Sequence, residues 1–129
     1  MADDFTSDYR LIFEERDNYL YVFVAGPKDS AEVSIRFWTE IHKKTTALGT
    51  QKLLVEEDFP NQISTIDMFE SANFVCETFR GKIKIAHVDA RLSHIDLNSF
   101  GETVAVNRGL DAAVFDNIED AIKWLNEEE

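Results

Sequence analysis

The sequence predicts an α/β domain built on a five-stranded mixed sheet, with an N-terminal β-hairpin followed by alternating helices and parallel strands (ββαβαβαβα). Three observations predict it. Five short runs are rich in aliphatic, aromatic and β-branched residues, as strands are. The segments between the later runs carry apolar residues at helical spacing. Each of three helices is preceded by an acid or serine with a second acid three residues on, the pattern of a capping box.

The elements follow in order. Met1 to Tyr9 holds Asp3, Asp4 and Asp8 with little apolar content and is expected to be frayed. Leu11, Phe13 and Glu15 alternate with Arg10, Ile12 and Glu14; Asp17-Asn18 makes a turn, and Tyr19 to Ala25 returns as the second strand of a hairpin. Gly26-Pro27 ends it. Asp29 with Glu32 caps a helix to about Leu48, with Val33, Phe37, Ile41 and Leu48 as its stripe, and Gly49 stops it. Leu53-Leu54-Val55 marks a third strand from Lys52 to Glu56. Ser64 with Asp67 caps a second helix to Arg80, with Met68, Phe69, Ala72, Val75, Cys76 and Phe79 on one face. Lys82 to Val88 is the fourth strand, apolar on both sides. Leu97, Phe100, Val104 and Ala105 form one helical face, Asn107-Arg108-Gly109 closes that helix, and Ala112 to Phe115 is the fifth strand. Asp116 with Glu119 caps a last helix that buries Ile118, Ala121, Ile122 and Leu125. Strands three to five are separated by helices, so right-handed crossovers make them parallel, and the hairpin adds an antiparallel edge.

Composition bounds the function. A chain of 129 residues with 44% apolar content supports one core, so residues 1–129 are read as a single domain. The net charge of −12 disfavours nucleic acid, whose phosphates need clustered Lys and Arg. No apolar run is long enough to insert in a membrane, and the acidic start is unlike a secretory signal, so a cytoplasmic location is expected. Cys76 is the only cysteine, which excludes an intrachain disulfide, and neither a cofactor nor a metal is called for.

The element order, with the stretches Phe79-Arg80-Gly81-Lys82-Ile83-Lys84-Ile85-Ala86, Phe100-Gly101-Glu102-Thr103, Asn107-Arg108-Gly109-Leu110, Ala113-Val114-Phe115 and Ala121-Ile122-Lys123-Trp124-Leu125, resembles the STAS-like proteins, closest to the bacterial SpoIIAA-like branch related to anti-sigma-factor antagonists. The resemblance implies a small non-enzymatic cytoplasmic module in a bacterium that acts by binding a protein partner. In the antagonist branch a kinase-like regulator phosphorylates a serine at the start of the second helix, in an Asp-Ser-Ser/Thr-Gly type motif. The matching region here, Gln62-Ile63-Ser64-Thr65-Ile66-Asp67-Met68, lacks the Asp-Ser and the glycine. Ser64, with Thr65 beside it, stands at the right place, where a phosphate would meet a helix N-terminus; Ser64 is equally accounted for as an N-cap. The related Sec14-type fold adds a second implication, an apolar or lipid-like ligand.

Other residues carry chemistry of their own. A helical wheel sets Phe74 opposite Ala72 and Phe79, exposed for a homodimer or partner contact, and Trp38 lies just beside the first helix's stripe with the same two roles open. Ligands of open α/β sheets bind at the carboxyl ends of the strands, which here carry Glu56-Glu57-Asp58, His87 with Asp89, and Asp116. Asp58 and Asp89 are therefore ligand candidates, and a metal-assisted enzyme is the least favoured reading because the spacing matches no metal motif. His42 is expected to be solvated, and His87 to be a hydrogen-bonded core residue. His94, in the loose run before Phe100, is a ligand candidate. Ser93, His94 and Asp96 are too close in sequence for a catalytic triad, and no nucleophile elbow or phosphate-binding glycine loop is present, so no catalytic residue is assigned.

Overall fold

The structure, a computed structural model, describes residues 8–127. The strands are β1 (Arg10–Glu15), β2 (Leu20–Ala25), β3 (Lys52–Asp58), β4 (Lys84–Val88) and β5 (Asp111–Phe115); the helices are α1 (Ala31–Leu48), α2 (Thr65–Thr78), α3 (Ile95–Asn107) and α4 (Ile118–Leu125), with a 3-10 turn at Leu92–His94. The strands lie in the order β1-β2-β3-β4-β5, the first pair antiparallel and the rest parallel. This is the predicted mixed sheet. Of the expected frayed lead-in, residues 1–7 lie outside the described residues. Tyr9 is anchored: it packs on the core, stands edge-on to Phe37 and donates its hydroxyl hydrogen to Glu40. Burial, with Glu40 beside it, pushes its phenol up to about 12.

Alternation along the strands sorts the side chains into two cores. Leu20, Val22, Val24, Leu53, Val55 and Ile85 face α1, α2 and α3, meeting Phe37, Ile41, Val75, Phe79 and Ala105. On the opposite face Leu54, Ala86 and Val88 meet Ala121 and Leu125 of α4 alone. Three helices against one make the first face the thicker layer, and the site lies within it.

The helix ends depart from the predicted caps in two places. Ser30, not Asp29, is the N-cap of α1, its Oγ accepting from the Val33 N–H at 3.1 Å. Asn117, not Asp116, caps α4 through the Asp120 N–H. A hydroxyl or amide one residue on fits the extended cap conformation, so the acid at the earlier position is released for other contacts. Ser64 caps α2 as predicted, its Oγ 3.0 Å from the Asp67 nitrogen. Asp67 does not complete the box; its carboxylate accepts from the Ala31 N–H at 3.2 Å and ties the starts of α1 and α2 together. Gly49 ends α1 with φ of 67°, where a side chain would be strained. At the far end of α4, Lys84 is buried and donates its Nζ hydrogens to the carbonyls of Trp124 and Glu127 at 2.6 and 3.2 Å, a cation at a helix C-terminus.

Gly26 marks a close backbone approach at the end of β2. A Cβ there would run into the Asp8 carbonyl oxygen and lie 2.9 Å from the Phe59 ring. Gly26→Ala is expected to cost about 1–3 kcal/mol by overpacking. Urea unfolding checks this, and an unchanged midpoint would show that the segment yields freely.

Candidate functional site

At the carboxyl end of the parallel strands the sheet and its three helices do not close completely. They leave a cavity of about 110 Å³. Its sheet wall carries Glu57, Ile85, His87 and Ala112; α1 contributes Ser34 and Trp38, α2 contributes Met68, Ser71 and Val75, and α3 contributes Leu97, Gly101 and Ala105. This is where a doubly covered parallel sheet places its ligands, because the connecting loops diverge there. Gly101 lets α3 approach α2, since a Cβ at that position would meet the Met68 sulfur at 2.7 Å.

The polar end of the cavity is built by four elements. Period-two alternation turns His87 to the same face as Ile85, level with Val55 of β3, and its Nε2–H donates to Oε2 of Glu57, two residues further along that strand, at 2.8 Å. Burial works against the charged ring, but the Glu57 carboxylate beside it raises the imidazole above its usual value. The stability this pair adds is complete below about pH 6.5 and is lost as pH rises through the raised folded value. The other ring nitrogen, Nδ1, is buried without a hydrogen-bond partner. Asp29, released from capping, is only 9% exposed; one carboxylate oxygen accepts from the Ser30 N–H at 2.8 Å. Burial, and then the charge of Glu57, pushes its carboxyl up to about 7. Asn61 clamps this rim by accepting from the Asp29 N–H at 2.7 Å and donating to the Asp29 carbonyl at 3.0 Å. Ser71, on the inward face of α2, is 6% exposed, and its Oγ has no partner.

A second cluster fixes the lid. Asp89 accepts from His94 Nδ1 at 2.8 Å, from the Arg91 N–H at 3.0 Å and from Asn98 Nδ2 at 3.2 Å, which locks the 3-10 turn and the start of α3 over the cavity. Arg91 in turn donates to Asp58 Oδ1 at 2.8 Å.

Of the ligand candidates, His94 and Asp89 line the cavity as a bonded pair and Asp58 stands outside, half exposed with Arg91. His94 is not on an open loop; it is buried. The other acids at the strand exits part company, since Glu56 accepts from the Tyr21 hydroxyl on the opposite sheet face at 2.5 Å while Glu57 turns to His87. No group of three metal-ligating side chains converges among the described residues.

The partner candidates divide. Ser64 and Thr65 are exposed at the start of α2. Phe74 is half-buried and packed on the core, and Trp38 is 6% exposed, edge-on to Phe79, so neither offers an open aromatic face. The physical reason is shared: α2 packs on both α1 and α3, so its flanks are covered and only its outermost strip meets solvent. That strip carries Ile66, 71% exposed, and Phe69, 41% exposed, although Phe69 was expected inside. His42, expected in solvent, is half-buried against the Phe79 ring at 5.1 Å. Asp29 and Ser71 are what sequence reasoning missed. A serine on the apolar face of α2 was the one visible signal.

The chain matches no protein-family model and no curated protein. By structure it is similar to an anti-sigma factor antagonist from Mycobacterium paratuberculosis, with a TM-score of 0.63 over 92% of this chain and 95% of that one, at 14% identity. The chain has an antagonist-type, STAS-like fold. The expected ββαβαβαβα order and antiparallel N-terminal hairpin are those of this fold, and at that identity the likeness concerns architecture. No helix among the described residues is long and apolar enough to cross a membrane.

Proposed function

We propose that the protein is a non-enzymatic, cytoplasmic regulatory module of a bacterium, and that it binds a protein partner, a kinase-like regulator, through the exposed start of α2. The antagonist-type fold supports this reading, and the observation that carries it is the exposure of Ile66 and Phe69 on the helix that begins at Ser64. Apolar side chains held out on a rigid helix act as anchors for a partner. Ser64 already spends its Oγ on capping, so association here runs through packing and not through the absent phosphoserine motif.

Ile66→Asp is the test. An acid in the first turn suits the helix dipole, so the fold should be unchanged. Affinity purification from the native host should return a stoichiometric kinase-like chain with the unaltered protein and at least about ten-fold less with the variant, an interface anchor being worth 1–2 kcal/mol or more. Equal recovery would remove this face from consideration, and light scattering of the same samples reports whether the partner is a second copy.

A second reading, a carrier of a small apolar ligand, is favoured by the cavity beneath α3, which lies under the segment 91–107.

A further inference from the structure

The cavity holds more information than its size. Four carboxylates line it, Asp29, Glu57, Asp89 and Glu102, against two imidazoles, His87 and His94. Three of the four are engaged: Glu57 with His87, Asp89 with His94, and Glu102 by accepting from the Val114 N–H at 2.9 Å. Asp29 has no ion-pair partner among the described residues. Two further polar atoms, Ser71 Oγ and His87 Nδ1, are buried on the same lining residues with nothing to bond. Buried polar groups left without partners cost stability, so unpartnered ones around a cavity point to a bound group that completes them.

All three can act as acceptors. His87 gives its Nε2–H to Glu57, which leaves a lone pair on Nδ1 when the ring is neutral; the serine oxygen and the Asp29 carboxylate also accept. An ammonium group offers three hydrogens and no acceptor, matching that set in number and kind. An anion is disfavoured, because it would join four carboxylates in a low-dielectric space. Most of the remaining wall is apolar, with Trp38, Phe59, Val75 and Leu110, and the volume falls below the roughly 150 Å³ that admits a benzene in a dry protein cavity, so the ligand is smaller than a substituted benzene.

We propose that this cavity binds a small primary amine with an apolar body, its ammonium held by Asp29, Ser71 and His87. This deepens the carrier reading above and rests on it. Binding should strengthen with pH, since Asp29 holds its proton up to about 7 and must release it to pair with the cation, and His87, raised above its usual value by Glu57, must lose its Nδ1 proton before that atom can accept. The charged groups that face Asp29 are Glu57 from β3, His87 from β4 and Asp67 from α2.

Calorimetric titration of the full chain with propylamine, 1-propanol and propionate, all smaller than a substituted benzene, tests it. At about pH 8 propylamine should bind at least ~10-fold more tightly than 1-propanol, the worth of a charge-assisted hydrogen bond, and propionate should give no heat. At about pH 5.5 propylamine should weaken by ~10-fold or more as Asp29 and His87 Nδ1 take up their protons. Asp29→Asn should lose at least ~10-fold at about pH 8 and Ser71→Ala a few-fold, with folding of each checked by thermal melting. Alcohol binding as tight as amine binding, or unchanged binding in Asp29→Asn, would overturn the amine and leave the carrier reading standing. No heat from any of the three would overturn both.

Discussion

Asp29→Asn is expected to stabilise the protein at about pH 8 by on the order of 2–4 kcal/mol and to change it little at about pH 4. The folded carboxyl is pushed up to about 7 from an ordinary 3.8. The unfolded chain therefore releases this proton near pH 4 while the folded chain holds it to about pH 7. Folding takes up a proton between those limits, so Asp29's contribution to stability falls as pH rises through that window. Above it the folded state carries a buried, unpaired carboxylate beside Glu57. Asparagine keeps an oxygen for the Ser30 N–H and removes the charge. The Glu57–His87 pair leaves a residual slope of the same sign, because its stabilisation is also lost as pH rises. Urea unfolding at the two pH values decides the matter: an equal effect at both would mean that Asp29 is not held protonated in the fold. A stabilising substitution at a position lined up with unsatisfied partners is what a functional group retained at a cost would show.

The sheet was legible because its signals are local. Leu53-Leu54-Val55 and the alternation of Ile83 and Ile85 with Ala86 and Val88 need no knowledge of the rest of the chain to mark strands and faces. Ser64 was legible as a cap for the same reason. The cavity was not, because Asp29, Glu57, Ser71 and His87 come from four separate elements and meet only through the strand register. Asp29 also carried a decoy, since an acid three residues before Glu32 looks like a cap when Ser30, next to it, does the capping. The error on α2 has a geometric origin. Centring its inward face on the apolar residues leaves Phe74 outside. Centring it on buried Ser71, with about 100° per residue, puts Met68 and Phe74 each about 60° away and Phe69 about 160° away, as the observed burial requires. A polar residue at the centre of a buried face hides that face from any hydrophobicity pattern, and here the cause is the cavity it lines.

Phe37→Ala should have the largest effect of any single truncation, a loss of about 3–5 kcal/mol. The ring is fully buried and is the meeting point of three segments: Tyr9 stands edge-on to it at 5.8 Å, Phe59 stacks on it at 5.9 Å and Trp38 leans against it at 6.0 Å. Its removal opens a void among aromatic neighbours that have few alternative rotamers, so the space cannot collapse readily. Tyr9 and Phe59 belong to the stretches before β1 and after β3, and Gly26 packs against both, so the damage should spread along that edge of the sheet. The melting temperature should fall by about 10–20 °C. Phe37→Leu, nearer in volume, should cost less than about 1.5 kcal/mol. Comparable losses in the two variants would mean that the position senses chain shape and not the filled volume. Because Trp38 and Phe59 also wall the cavity, Phe37→Ala should weaken propylamine binding even where the protein stays folded, whereas Ile66→Asp, out on the solvent strip of α2, should leave it untouched. That contrast separates the inner site from the outer face: one depends on the core, the other on a partner.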